Sequence, residues 1–157
     1  MNTEFSNLYC HGFVRVAACV PVVRVGDPAF NAEKSLELLR KAHGEKAVLA
    51  VFPELGISAY SCDDLFFQDA LRNTTLEALG RFLDSSAEMS IATVVGLPLK
   101  IRDALFNCAA VLFRGKILGI AVKSFLPNYR EFYEMRHFRP SSDLPVDSLD
   151  ILGQKDI

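Results

Sequence analysis

AVLAVFPELGISAY, residues 47–60, runs from an unbroken apolar stretch straight into a proline and a carboxylate. Six apolar residues, Ala47 to Phe52, fit a strand covered on both faces, as in a parallel sheet. Pro53 ends it, and Glu54 follows at its carboxyl end. In open α/β sheets, ligands collect at that edge.

Working outward, Phe13 to Val20 is rich in β-branched residues and stops at Pro21, which predicts a first strand. Gly26-Asp27-Pro28 marks a turn. Asn31 can cap a helix running from Ala32 to about His43, where Leu36, Leu39 and Ala42 keep helical spacing and Gly44 stops it. Residues 65–89 carry Leu71, Leu76, Leu79, Phe82 and Leu83, the pattern of one or two helices, with Asn73-Thr74 as a possible internal cap. Ile91 to Leu97 predicts a third strand closed by Pro98. Leu105 to Phe113 and Ile117 to Val122 predict two more, joined by a hairpin at Arg114-Gly115-Lys116. The polar tail from Ser141 holds at most one short strand, near Leu149-Asp150-Ile151. The order β-α-β-α-β-β-β predicts an α/β fold, parallel early and antiparallel late.

Composition narrows the partners. The chain has 157 residues, half of them hydrophobic, and a formal net charge of −2 from 17 basic and 19 acidic residues. That is enough for one domain with a real core. Without a basic stripe, neither nucleic acid nor an anionic membrane is the expected partner. The apolar runs are too short to span a bilayer, and the first residues lack the charged and apolar regions of a signal peptide, so a cytoplasmic location is the expectation. The four cysteines, Cys10, Cys19, Cys62 and Cys108, form no CxxC pair and no zinc-type cluster. They are expected to be reduced, mostly buried thiols, and no metal site is expected. His11, His43 and His137 read as satisfied structural histidines, and Arg130, Arg136 and Arg139 as structural or interface charges.

Lys123 follows the fifth strand as Glu54 follows the second, so the two can meet at one sheet edge. By spacing alone they read more readily as solvated strand-end charges or a salt bridge than as parts of a reactive site.

Resemblance weighs on that choice. VFPELGISAY, VVGLPL and FNCAAVLFRGKILGIAVKSFLPNYREFYEMRHF resemble the nitrilase, or carbon–nitrogen hydrolase, superfamily. Within it, HGFVRVAACVP and KSFLPNYREFYEMRHF are similar to the glutaminase domains of glutamine-dependent NAD synthetases. The resemblance covers residues 9 to about 140. It implies an αββα sandwich, of which residues 1–157 would be the N-terminal portion. It implies Glu54 and Lys123 as two members of a Glu-Lys-Cys triad, acting on L-glutamine. The family's cysteine follows the lysine in sequence, and no cysteine follows Lys123 here. The chain is therefore expected to be the first part of a longer protein, inactive alone, with the rest of that protein as its partner. ATP, Mg and an NAD precursor would be used in a separate synthetase domain, with no cofactor in this segment. The resemblance further implies Tyr60, Tyr129, Phe132 and Glu134 as substrate-pocket residues. It leaves open whether Glu131 or Glu134 takes the auxiliary role, and whether that role is to hold the substrate's α-ammonium or to support the lysine.

The residue types suit the chemistry. An amide yields to a thiolate, and a free thiol is mostly protonated at neutral pH. A carboxylate whose pKa is raised by burial can take that proton, and a fixed ammonium can hold the oxyanion. Another amidase of the superfamily, or an inactive interaction protein, are the alternative readings. A half-sandwich would also expose an apolar sheet face, so a homo-oligomer is expected.

Overall fold

The computed structural model describes Phe5 and residues 7–157. Its centre is a five-stranded sheet in the order β1-β2-β3-β4-β5. β1 (Val16–Ala18), β2 (Leu49–Val51) and β3 (Ala92–Ile101) pair in parallel. β4 (Ala104–Phe113) and β5 (Lys116–Val122) add antiparallel hairpins. β5 thus runs the same way as the first three strands, and the carboxyl ends of β2 and β5 share one edge.

Helices α1 (Pro28–Gly44) and α2 (Asp69–Ser86) pack together on one face of the sheet. Leu36 and Leu39 of α1 and Leu79 and Phe82 of α2 meet Ala50, Val95, Leu97, Ala110 and Leu112 in the main core. Phe52 meets the Phe82 ring edge-on at 6.2 Å. A smaller core of Leu55, Cys62, Phe66, Leu71, Leu105 and Phe138 lies under the loops. Among the described residues, the chain supplies one helical layer and one sheet of the four layers expected.

Several boundaries differ from the sequence reading. β1 and β2 shrink to three residues each, and β2 is not covered on both faces. Ala50 is fully buried under the helices, whereas Val51 on the opposite face is 41% exposed. α1 starts one turn earlier than expected, because Asp27 caps it by accepting from the Phe30 amide at 3.1 Å and Pro28 suits the first turn. Asn31 is instead fully buried. Its side chain accepts from the Arg24 amide and donates to the Arg24 and Ile57 carbonyls.

Residues 60–67 form 3₁₀ turns before a single α2, and Asn73-Thr74 lies inside that helix, Thr74 Oγ1 bonding back to the Ala70 carbonyl. Pro98 does not end β3. It sits opposite Asn107, past the last residue of β3 paired with β2, where the ladder is one-sided and an absent N–H is tolerated. The Arg114-Gly115 turn has positive φ at both residues (48° and 73°), the hairpin geometry that favours glycine. In the tail, Ile151 is buried, and Gln154 accepts from the Ile117 amide at 2.9 Å. Among the described residues, no helix is long and apolar enough to cross a membrane.

Candidate active site

Glu54 is placed by a tight turn locked across β3. The Phe52 amide donates to the Val94 carbonyl at 2.9 Å, and the Ile57 amide donates to the Gly96 carbonyl at 3.1 Å. Between them the chain turns away with Leu55 at φ 53°. Leu55 and Ile57 are buried, which leaves Glu54 at the surface of the turn. Gly96 allows this approach: a Cβ there would overlap the Leu55 amide nitrogen and reach 2.7 Å from the Pro53 carbonyl oxygen.

Lys123 arrives from the end of β5, its amide donating to the Asn107 carbonyl at 2.9 Å. Its ammonium donates to Glu54 Oε1 at 2.6 Å and to Glu134 Oε1 at 3.0 Å. Glu134 Oε2 lies 2.9 Å away as an ionic contact without hydrogen-bond direction. Burial works against the charge on Lys123. The hydrogen bonds and fields of Glu54 and Glu134 outweigh it, so the lysine pKa is raised. Glu134 is buried, its amide held by the Pro127 carbonyl at 3.1 Å.

Asn107 completes the cluster and was not singled out from the sequence. It is buried, and its Nδ2 donates to Glu54 Oε1 at 2.5 Å. One side chain and one carbonyl of Asn107 therefore hold both Glu54 and Lys123. The available signal was a polar residue inside the otherwise apolar run from Leu105 to Phe113. Gly96 was likewise visible only as part of the G-x-P stretch.

Glu54 is less secluded than expected. Its side chain is 42% exposed, and its carboxylate meets the Asn107 amide and the Lys123 ammonium rather than apolar surface. The reason is the open sheet face beside it. A cavity of about 400 Å³ there is walled by Val51, Val94, Gly96 and Ala109, with Glu54 and Lys123 at its edge.

On the other side of the cluster, a second cavity of about 250 Å³ contains Tyr60, Phe132 and Glu134. Tyr60 donates to Glu134 Oε1 at 2.7 Å. Burial, this bond and the charges of Glu134 and Glu54 raise the tyrosine pKa far above its usual value. Tyr129 does not line this cavity. It stands exposed and meets Phe132 edge-on at 5.8 Å. Of the two open candidates, Glu134 touches Lys123, whereas Glu131 only lines the cavity.

The thiols do not enter the cluster. Cys62 is buried and donates to the Ser58 carbonyl, and burial raises its pKa and that of Cys19. Burial pushes the Cys108 thiol up to about 12. Cys10 is exposed, unlike the other three. It neighbours Tyr9, which donates to the Lys46 carbonyl just before β2, at the opposite end of the strands.

Comparison with known proteins places this geometry. Residues 15–154 match the carbon–nitrogen hydrolase family. The glutamine-dependent NAD(+) synthetase of Mycobacterium tuberculosis (strain H37Rv) is 47% identical over 137 residues, which are 87% of this chain and 20% of that protein. That of Aquifex aeolicus is 37% identical over 119 residues, 76% of this chain and 21% of that protein. This chain thus spans about a fifth of the length of these curated relatives. The crystal structure of a glutamine-dependent NAD(+) synthetase from Cytophaga hutchinsonii superposes with a TM-score of 0.83 at 25% identity, covering 90% of this chain and 24% of that one. A variant of the Nesterenkonia AN1 amidase, from the nitrilase superfamily, shares the fold with a TM-score of 0.70 at 22% identity, over 82% of this chain and 48% of that one. The fold is nitrilase-like, and the chain belongs to the carbon–nitrogen hydrolase family.

Proposed function

We propose that residues 1–157 are the N-terminal part of a glutaminase domain and provide the Glu-Lys half of a site that hydrolyses L-glutamine. The observation that carries this is one ammonium, Lys123, held between the carboxylates of Glu54 and Glu134 at the carboxyl edge of the sheet. The likeness to proteins named as glutamine-dependent NAD(+) synthetases supports glutamine as the substrate.

Each residue has a definite task in this reading. Glu54 Oε1 takes donors from Lys123 and Asn107, which leaves Oε2 to accept the proton of a thiol nucleophile. Lys123 holds the oxyanion of the tetrahedral intermediate. Glu134 fixes the ammonium and takes the auxiliary role, with Tyr60 fixing Glu134 in turn. Tyr60, Phe132 and Glu134 form the substrate wall, and Tyr129 reaches substrate only through its contact with Phe132. The nucleophile is a cysteine outside this segment, because Cys19, Cys62 and Cys108 are buried with their thiol pKa values raised, and Cys10 lies at the opposite end of the strands. The ammonia released would serve a synthetase domain that uses ATP, Mg and an NAD precursor. The polypeptide would be cytoplasmic and oligomeric.

The test uses the longer polypeptide carrying this segment. Glu54→Gln should abolish glutamate release from glutamine and leave synthesis from free ammonia intact. Loss of both activities would mean a fold defect, and retention of both would remove Glu54 from the site. The 157-residue chain alone should release no glutamate. Turnover that disappears on Cys62→Ala would move the nucleophile to Cys62.

A further inference from the structure

His137 departs from the satisfied structural histidine that the sequence suggested. Its side chain is only 5% exposed, and its Nε2 is buried without a hydrogen-bond partner among the described residues. The ring is packed among Phe66, Phe67, Tyr133 and Phe138. A buried nitrogen without a partner is costly. This nitrogen faces two carboxylates, with Asp63 Oδ1 and Asp64 Oδ1 each 3.6 Å away.

That separation is too long for a hydrogen bond. It does match the edge between two ligands of a small ion. Tetrahedral zinc, with bonds of about 2.0–2.2 Å, sets its ligand atoms roughly 3.3–3.6 Å apart. One atom from each of Asp63, Asp64 and His137 lies within 4.8 Å of the others. Both aspartates are 63% exposed, so the remaining coordination position opens to solvent. Asp64 is also gripped by Arg136, whose Nη2 donates to both carboxylate oxygens at 2.8 Å and whose Nε donates to Oδ1 at 3.0 Å. Such an outer partner fixes the plane of a ligating carboxylate, and here it also offsets one of the two negative charges.

We propose that Asp63, Asp64 and His137 form a binding site for a divalent transition metal, with zinc as the ion that fits best. An imidazole nitrogen among the ligands disfavours magnesium and calcium, which seek oxygen. The metal clips the 3₁₀ segment Tyr60–Phe67 to the segment that carries Glu134 and His137. Asp63 and His137 line the same cavity as Tyr60 and Glu134, so the clip fixes both walls of that cavity. The ligands are far apart in the chain, which is why their spacing gave no metal signature.

The experiment is a titration of the chelator-stripped 157-residue chain with Co²⁺ at neutral pH, read by visible d–d absorption, followed by displacement with Zn²⁺. One Co²⁺ per chain with tetrahedral bands, displaced by Zn²⁺, is the expected result. Asp63→Asn and His137→Gln should each weaken binding by about tenfold or more. Asp63 is exposed, so Asp63→Asn carries the test if His137→Gln fails to fold. Absence of one-to-one binding would overturn the proposal and leave His137 packed beside the two aspartates without a metal. Binding unchanged in Asp63→Asn would also overturn it, by placing the metal elsewhere, for instance on thiols.

Discussion

Glu54 presents its two oxygens differently. Oε1 receives Lys123 and Asn107, and among the described residues Oε2 receives no donor. A carboxylate locked through one oxygen keeps the other aimed, which is the positioning a proton acceptor needs. Asn107→Ala should therefore lower glutamine turnover in the longer polypeptide, and it should cost about 1–3 kcal/mol of stability by leaving buried polar groups unpaired. Steady-state rates and urea unfolding check the two effects separately.

The same cluster sets an alkaline limit. The folded protein holds the Lys123 and Tyr60 protons more tightly than an unfolded chain, in which they leave near 10.5 and 10.0. Stability from these groups is complete below those values and is lost as pH rises from them through the higher folded-state values. The urea midpoint should fall progressively above about pH 10, and fall less in a Lys123→Met, Tyr60→Phe double variant. At this scale much was legible. Glu54 and Lys123 stand out as charges ending apolar runs, and the family resemblance pointed to Tyr60 and Glu134. Their convergence on one cluster was not legible, because Tyr60 and Glu134 lie 74 positions apart and meet only through the fold.

Among the elements, the turn after β2 depends on a residue in the neighbouring strand. Gly96→Ala would drive a methyl group into the Pro53–Leu55 backbone. The expected cost is about 1–3 kcal/mol, read as a lower urea midpoint, with glutamine turnover falling more steeply than stability because Glu54 moves with the turn. Asp27→Ala should cost about 1 kcal/mol through the lost cap and leave the site geometry unchanged. The order of strands and helices was readable from periodicity, since each helix buries one stripe and β4 and β5 flank a clear turn. The lengths of β1 and β2 were not. For β2 the apolar run suggested two buried faces, yet only one face meets helices, and apolar composition does not say which side is covered. Pro98 misled for a related reason. A proline breaks a strand only where its missing N–H is needed, and here pairing with β2 has already ended.

For the whole molecule, the sheet face opposite the helices sets the behaviour. Val16 and Val51 are exposed on it, and Val94, Ala109 and Val111 lie between them and β5 with partial cover. An apolar face of this kind favours association. The isolated chain should elute in size-exclusion chromatography as a species larger than its 17.4 kDa mass, and a Val51→Lys substitution should shift it toward the monomer. Elution as a monomer at all concentrations would show that this face is compatible with water.

The claim at the centre is that Lys123, held by Glu54 and Glu134, stabilises the transition state of amide hydrolysis. It is tested most directly by the rate of glutamate release from saturating glutamine in the longer polypeptide carrying Lys123→Ala. The account predicts a fall of about 10²–10³ or more, the effect of removing one oxyanion donor. A rate within a fewfold of the unaltered protein would contradict it, and would reduce the Glu54–Lys123–Glu134 cluster to a structural salt bridge.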